Sequence, residues 1–278
     1  MLTIFKAIVL AVVQGITEWL PISSSGHLVI FQKIFGLNDQ IAYDLLLHIA
    51  TALVVVFIFR KDILNIIKSL WQAVVDFEQR KSWHAFIENE ERKLAMFVII
   101  GSIPIAVFGL TVKDLVEKSF ENLLMVAVAF FFTGFLLWLT KFRVNRYAAK
   151  GSGIKGTSFL DAFFVGVFQA LAIFPGVSRS GSTIAGGMIT GLDKNLAARY
   201  SFLLFLPAIT GAVILELDRI VFAASEVPAV IIGCIVAMVT SYLAIETLLQ
   251  LVKHGKFHLF SYYCWFAGLV SLGLFFVL

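Results

Sequence analysis

Apolar residues along this chain come in long runs rather than in alternation. Six runs are long enough to cross a hydrocarbon core as helices, which takes roughly 20 apolar residues. They cover 44–60, 94–112, 121–140, 196–217, 227–251 and 258–278. Two further apolar segments, 3–30 and 158–189, are interrupted halfway by small polar residues. The first breaks at "PISSSGH" (21–27) and the second at "PGVSRSGST" (175–183). Proline removes a helical N–H and glycine loosens the backbone, so each helix is expected to stop there. Freed backbone groups do not face lipid, which places each break inside protein or beside a wet cavity. Re-entrant hairpins fit these segments better than spans. The stretch 61–93 differs in kind. Ile63, Ile66, Ile67, Leu70, Trp71, Val74 and Val75 share one helical face with charges around them. That pattern fits a helix lying at the membrane interface or ordinary loop packing.

Composition places the whole chain in the same class. Of 278 residues, 60% are hydrophobic and 14% charged, against about half and a quarter in soluble domains. The expected fold is an all-α polytopic membrane protein forming one integral domain over 1–278. The net charge of +4 fits charged loops on one membrane side better than nucleic-acid binding. Cys234 and Cys264 both fall in apolar runs and read as small buried hydrophobes rather than a disulfide or metal site. Glu18 interrupts the first run where a signal's apolar region would continue, so insertion without cleavage is expected.

The two broken segments are copies of one another. An offset of 155 residues pairs Gln14 with Gln169, Ser23 with Ser178, Ser25 with Ser180 and Gly26 with Gly181. The same register continues to Gly36 with Gly191, Leu37 with Leu192 and Ala42 with Ala197. Matches of Gln, Ser and Gly in one register mark a duplication, with repeats at about 1–150 and 151–278. Each half holds one hairpin and three spans. Three crossings are odd, so the second half is expected to insert upside down, with both polar motifs meeting near the midplane. Fifteen Lys and Arg fall on one side of this arrangement and five on the other. The positive-inside rule makes the rich side cytoplasmic and puts both termini outside.

Ionisable residues inside a membrane are costly and point to function. Gln14 and Glu18 lie four apart, on one helix face. After the break come Ser23, Ser24, Ser25, Gly26 and His27; the opposing motif supplies Ser178, Arg179, Ser180, Gly181, Ser182 and Thr183. The planar fork of Arg179 suits phosphate bidentately. Hydroxyls and turn amides before a helix add anion donors. His27 exchanges protons near neutral pH, and Ser or His side chains attack phosphorus. Glu18 is suited to a divalent cation, to water, or to orienting the imidazole. The competing readings are plainer. Ser and Gly also mark close helix packing, and Glu18 with Arg179 would also serve as a structural ion pair. Asp44 and His48, four apart on the next span, read equally as support for the site or as a local pair. Arg199 takes Asp44's place in the second repeat and raises the expectation of a cross-repeat ion pair.

These motifs resemble a known family. "QGITEWLPISSSGH" (14–27) and "PGVSRSGST" (175–183) are similar to the two signatures of the bacterial undecaprenyl-pyrophosphate phosphatases of the bacitracin-resistance type. The resemblance extends over nearly the whole chain in span order and repeat. The signatures of the soluble-motif lipid phosphatases are absent. The resemblance implies hydrolysis of undecaprenyl pyrophosphate to the monophosphate and inorganic phosphate, recycling the lipid carrier for cell-wall synthesis. By matched position Glu18, Ser24, His27 and Arg179 correspond to the family's essential residues. Ser178, Ser180 and Thr183 match its phosphate-contacting turn, with Ser23, Ser25, Gly26 and Gly181 completing the expected phosphate cradle. The family's divalent metal, Mg2+ or Ca2+, is assigned to the acidic motif, here Glu18 with Gln14 in place of a first acid. Either Ser24 or His27 would attack phosphorus; the preferred assignment makes Ser24 the nucleophile and His27 its base. Expected partners are the lipid pyrophosphate and the bilayer; a homodimer is compatible with this reading, and nucleic acid is not expected. The rival class is a polyprenyl-phosphate transporter, since inverted repeats with broken helices are also transporter architecture.

Overall fold

The computed structural model describes residues 2–37, 40–78, 88–147 and 153–277. Twelve α-helices account for most of them. The first interrupted segment forms α1 (Ile4–Trp19) and α2 (Ser24–Ile34), and the second forms α8 (Phe159–Leu171) and α9 (Arg179–Thr190). At 1.5 Å per residue, α2 and α9 reach about 17 Å, well short of a core about 30 Å thick. Neither segment crosses as one helix.

Six helices are long and apolar enough to span a membrane. They are α3 (Ile41–Ile58), α5 (Glu90–Thr111), α7 (Leu123–Tyr147), α10 (Lys194–Leu215), α11 (Val227–Lys253) and α12 (Phe260–Val277). Each falls within a few residues of the run that predicts it. Exposed Leu, Ile, Val and Phe side chains line their outer faces, among them Leu53, Ile103, Val128 and Phe266, as lipid contact requires.

Two further helices lie between the spans of the first half. The helix α4 (Arg60–Glu78) follows α3 with only Phe59 between them. Its apolar face is split: Ile63 and Ile66 pack against the core while Ile67, Trp71, Val74 and Val75 are exposed. Arg92 anchors it to α5 through Asp76 at 2.5 Å and the Ser69 carbonyl at 3.1 Å. Residues 79–87 of the predicted stretch lie outside the described residues. The short α6 (Lys113–Glu121) sits where only a loop was expected, because nine residues carry too little periodicity to stand out.

The halves interlock. Helix α1 packs on α11, and its counterpart α8 packs on α5. Tyr43 in α3 donates to the Ala7 carbonyl at 2.8 Å. Tyr200 in α10 reaches the carbonyls of Phe97 at 2.6 Å and Ala162 at 3.3 Å, and Ala162 is Ala7 displaced by the repeat offset. The neighbours α3 and α10 run antiparallel: Arg199, near the start of α10, binds Asp62, just beyond the end of α3, at 2.7 Å. Arg199 also meets Glu91 at 3.3 Å. The expected pairing of Arg199 with Asp44 is therefore not made. Antiparallel packing sets their helix starts at opposite ends, and Asp44 instead accepts from Gln32 Nε2 at 2.8 and 2.9 Å.

Candidate active site

Each break ends in the same capping pattern. Ser23 caps α2 by accepting the Gly26 N–H at 3.3 Å, and Ser178 caps α9 by accepting the Gly181 N–H at 3.0 Å. The Ser23–Ser25 hydroxyls lie 3.3 Å apart and the Ser178–Ser180 hydroxyls 3.4 Å. Capping serines satisfy one orphan amide each, but the first two amides of either helix precede its hydrogen-bond ladder. Two positive helix ends therefore converge on one region, because the turns touch. Ser23 Oγ also accepts the Gly176 N–H at 3.1 Å. A Cβ on Gly26 would stand 2.8 Å from Gly176 Cα, and Gly176 itself has φ +98. Only glycine serves at that contact.

Glu18 is the centre of the polar network. It is 6% exposed, at the end of α1. Its Oε1 accepts from Arg179 Nη2 at 2.5 Å. Its Oε2 accepts from Ser24 Oγ at 2.5 Å and Gln14 Nε2 at 3.0 Å. His48 Nε2 lies 3.4 Å from the same oxygen, with its Nδ1 donating to the Asp44 carbonyl at 2.8 Å. Arg179 stacks on Phe205 at 3.8 Å and lies over Trp19 at 5.3 Å, a cation–π cradle that holds a cation in an apolar setting. Its second terminal nitrogen, Nη1, is buried and has no hydrogen-bond partner among the described residues. Half of the guanidinium fork is thus committed to Glu18 and half is left unpaired within the buried cradle.

His27 stands beside this network but is not hydrogen-bonded into it. Its Nδ1 is 2.7 Å from the Ser23 carbonyl and its Nε2 is 2.9 Å from the Tyr263 hydroxyl. The expected Ser24–His27 pair is therefore absent: Ser24 donates to Glu18, and the imidazole turns back over its own helix cap. The other hydroxyls of the second motif hold the turn. Thr183 Oγ1 donates to the Arg179 carbonyl at 2.8 Å and shares a 2.5 Å bond with Ser201. Ser180 Oγ reaches the Leu20 carbonyl at 3.4 Å. Ser180, Ser182 and Thr183 have no exposed surface, whereas Ser25 is half-buried.

A family model described as bacitracin resistance protein BacA matches residues 7–270, which include both turns. The chain belongs to the BacA family. Curated relatives are similar end to end. A protein of Carboxydothermus hydrogenoformans is 40% identical over 276 residues, covering 97% of each chain. One of Korarchaeum cryptofilum is 40% identical over 273 residues, covering 98% of this chain and 99% of its own. One of Methanosphaera stadtmanae is 37% identical over 277 residues, covering 98% of each. All three are named undecaprenyl-diphosphatase.

The donors around Glu18 bear on the divalent metal that the resemblance implies. Among the described residues no three His, Cys, Asp or Glu side chains form a metal cluster. Gln14 Oε1, however, is buried without a hydrogen-bond partner, on the side chain whose Nε2 holds Glu18. One carboxylate and one amide oxygen suit Mg2+ or Ca2+ when substrate phosphates supply further ligands. Glu18 and Gln14 are the residues that would hold such an ion, Glu18 only by giving up one of its contacts to Arg179, Ser24 or Gln14.

Sequence reasoning missed Tyr263. Tyr263 sits in an apolar run beside Tyr262, where paired tyrosines read as interfacial anchors. His48, which reads equally as support for the site or as a partner of Asp44, contacts both; its approach to Glu18 needs α3 to cross α1, which no local spacing reveals.

Proposed function

We propose that this chain hydrolyses undecaprenyl pyrophosphate to undecaprenyl phosphate and inorganic phosphate, returning the lipid carrier to cell-wall synthesis and thereby conferring bacitracin resistance. The observation that carries the reading is the unpaired Nη1 of Arg179, a fixed donor beside two convergent helix N-termini. Arg179 and the leading amides of α2 and α9 bind the pyrophosphate, and Ser25 adds a hydroxyl. Ser24 Oγ attacks the terminal phosphorus as its proton passes to Glu18 Oε2. The bond to the bridging oxygen breaks, and undecaprenyl phosphate leaves. Water then attacks the phosphoserine, with His27 Nε2 taking its proton; the P–Oγ bond breaks, Glu18 returns its proton to Ser24 Oγ, and inorganic phosphate is released. A divalent ion held by Glu18 and Gln14 together with the substrate phosphates would neutralise charge on the transferring group.

The transporter reading needs only charge complementarity. It leaves unexplained a serine hydroxyl donated to a carboxylate at 2.5 Å, and relatives carrying an enzyme's name favour hydrolysis.

The protein lies in the cytoplasmic membrane with its halves in opposite orientation, supported by the antiparallel α3 and α10 and by the fifteen-to-five distribution of Lys and Arg. The site opens toward the outer face, from which α1 and α2 enter. A homodimer is compatible with this arrangement. The deciding experiment is phosphate release from a polyprenyl pyrophosphate by purified protein, with and without a chelator. Loss of release on chelation supports the metal. Release that is absent under every divalent ion, alongside lipid transfer between leaflets, would replace the hydrolase with the transporter.

A further inference from the structure

Tyr263 comes from α12, far in sequence from both turns. Its hydroxyl is 2.9 Å from His27 Nε2, and its ring stacks on the imidazole at 5.6 Å with 16° between planes. Phe130 closes another side edge-on at 5.1 Å. The remaining ring nitrogen, Nδ1, faces the Ser23 carbonyl at 2.7 Å. A carbonyl only accepts, so Nδ1 carries the proton in that bond. In a neutral imidazole Nε2 is then the acceptor and the phenol must be the donor.

This arrangement differs from the usual support of a histidine base, in which the orienting group holds the nitrogen remote from the chemistry. Here the Ser23 carbonyl takes that remote position, and a second group holds the working nitrogen. The carbonyl is itself unusually placed, since Ser23 is the only described non-glycine residue with positive φ (66). With 43% of its surface exposed, Tyr263 would pass as a lipid-facing anchor, yet its hydroxyl points inward.

The geometry points to Tyr263 as a positioning residue for His27. Its hydroxyl occupies the single lone pair of Nε2 at rest and, with the Ser23 carbonyl, fixes the Nδ1–H tautomer; the phenol turns aside to free that lone pair when His27 takes a proton, and its ring sets the plane of the imidazole. This inference rests on the role proposed above for His27.

The test is Tyr263→Phe, which keeps the ring and removes the hydroxyl, run beside Tyr263→Leu and His27→Gln. In the Phe variant kcat should fall about tenfold or more with KM within about threefold, the mark of a lost transition-state interaction. The Leu variant should fall at least as far. In protein labelled with 15N-histidine, the His27 signals, assigned by their loss in His27→Gln, should show one Nδ1–H tautomer in the parent. The Nε2 signal should shift toward an unbonded nitrogen in the Phe variant. If the Phe variant keeps parental kcat and an unmoved Nε2 signal while His27→Gln is inactive, Tyr263 only packs and the inference falls. If His27→Gln itself turns over normally, the role of His27 falls and takes this one with it.

Discussion

The hydroxyl of Ser23 accepts the backbone N–H of Gly176 at 3.1 Å, joining two turns that lie 153 residues apart. The same oxygen caps α2 through Gly26. One atom thus fixes the start of a helix and its register against the opposite repeat. That register brings Arg179 onto Glu18.

The first prediction tests this contact. Gly26→Ala places a methyl 2.8 Å from Gly176 Cα and 2.7 Å from the ring of Phe130. Overpacking of this kind costs about 1–3 kcal/mol. Misplacing reacting groups by about 1 Å can cost about 100-fold in rate. Thermal unfolding in detergent should drop and phosphate release should fall further than stability does. Parental turnover would show that the turns need not touch.

Arg179→Lys tests the fork. A lysine offers one point charge, so it satisfies either Glu18 or the substrate, not both. Losing a preorganised donor costs about 2–4 kcal/mol of transition-state stabilisation. Initial rates of phosphate release should therefore drop about 30- to 1000-fold in protein that still inserts and folds. Near-normal turnover would remove the phosphate clamp.

Glu18→Gln separates structural from chemical roles. It removes the counter-charge from a buried guanidinium, and breaking such a pair costs about 3–5 kcal/mol of stability. The double variant Glu18→Gln, Arg179→Met should recover much of that stability and no activity. Denaturation midpoints read the first effect and phosphate release the second. Equal activity in the single variant would exclude Glu18 as proton acceptor.

His27→Gln keeps a hydrogen-bonding side chain but cannot act as a base. General acid–base help is worth about 100- to 10,000-fold, so turnover should nearly vanish. Binding of the lipid pyrophosphate should stay within about tenfold, the anion still meeting Arg179. Arg179→Ala should instead abolish binding. Equilibrium binding and turnover measured on the same preparations check both halves.

Topology has its own test. The distribution of Lys and Arg predicts Lys256 in the cytoplasm and Lys118 outside. With Cys234 and Cys264 replaced, Lys118→Cys should react with an impermeant maleimide in intact cells, and Lys256→Cys only after permeabilisation. The reverse pattern would invert the orientation.

The sequence by itself determined the helical membrane class, the six spans and the two breaks. These depend on local properties: run length against bilayer thickness, and proline, glycine and capping serines at 21–26 and 175–181. It also marked Gln14, Glu18, Ser24, His27 and Arg179, because polar side chains inside apolar segments stand out without a partner in view. Tertiary structure alone decided how they pair. Ser24 bonds Glu18 rather than His27, Arg199 answers Asp62 and Glu91 rather than Asp44, and His48 and Tyr263 enter from α3 and α12. Apart from Ser24–Glu18, six residues apart across the break, each of these contacts depends on which helix crosses which, and at what height. That geometry is set by packing between segments tens to hundreds of residues apart, where spacing along one helix carries no information.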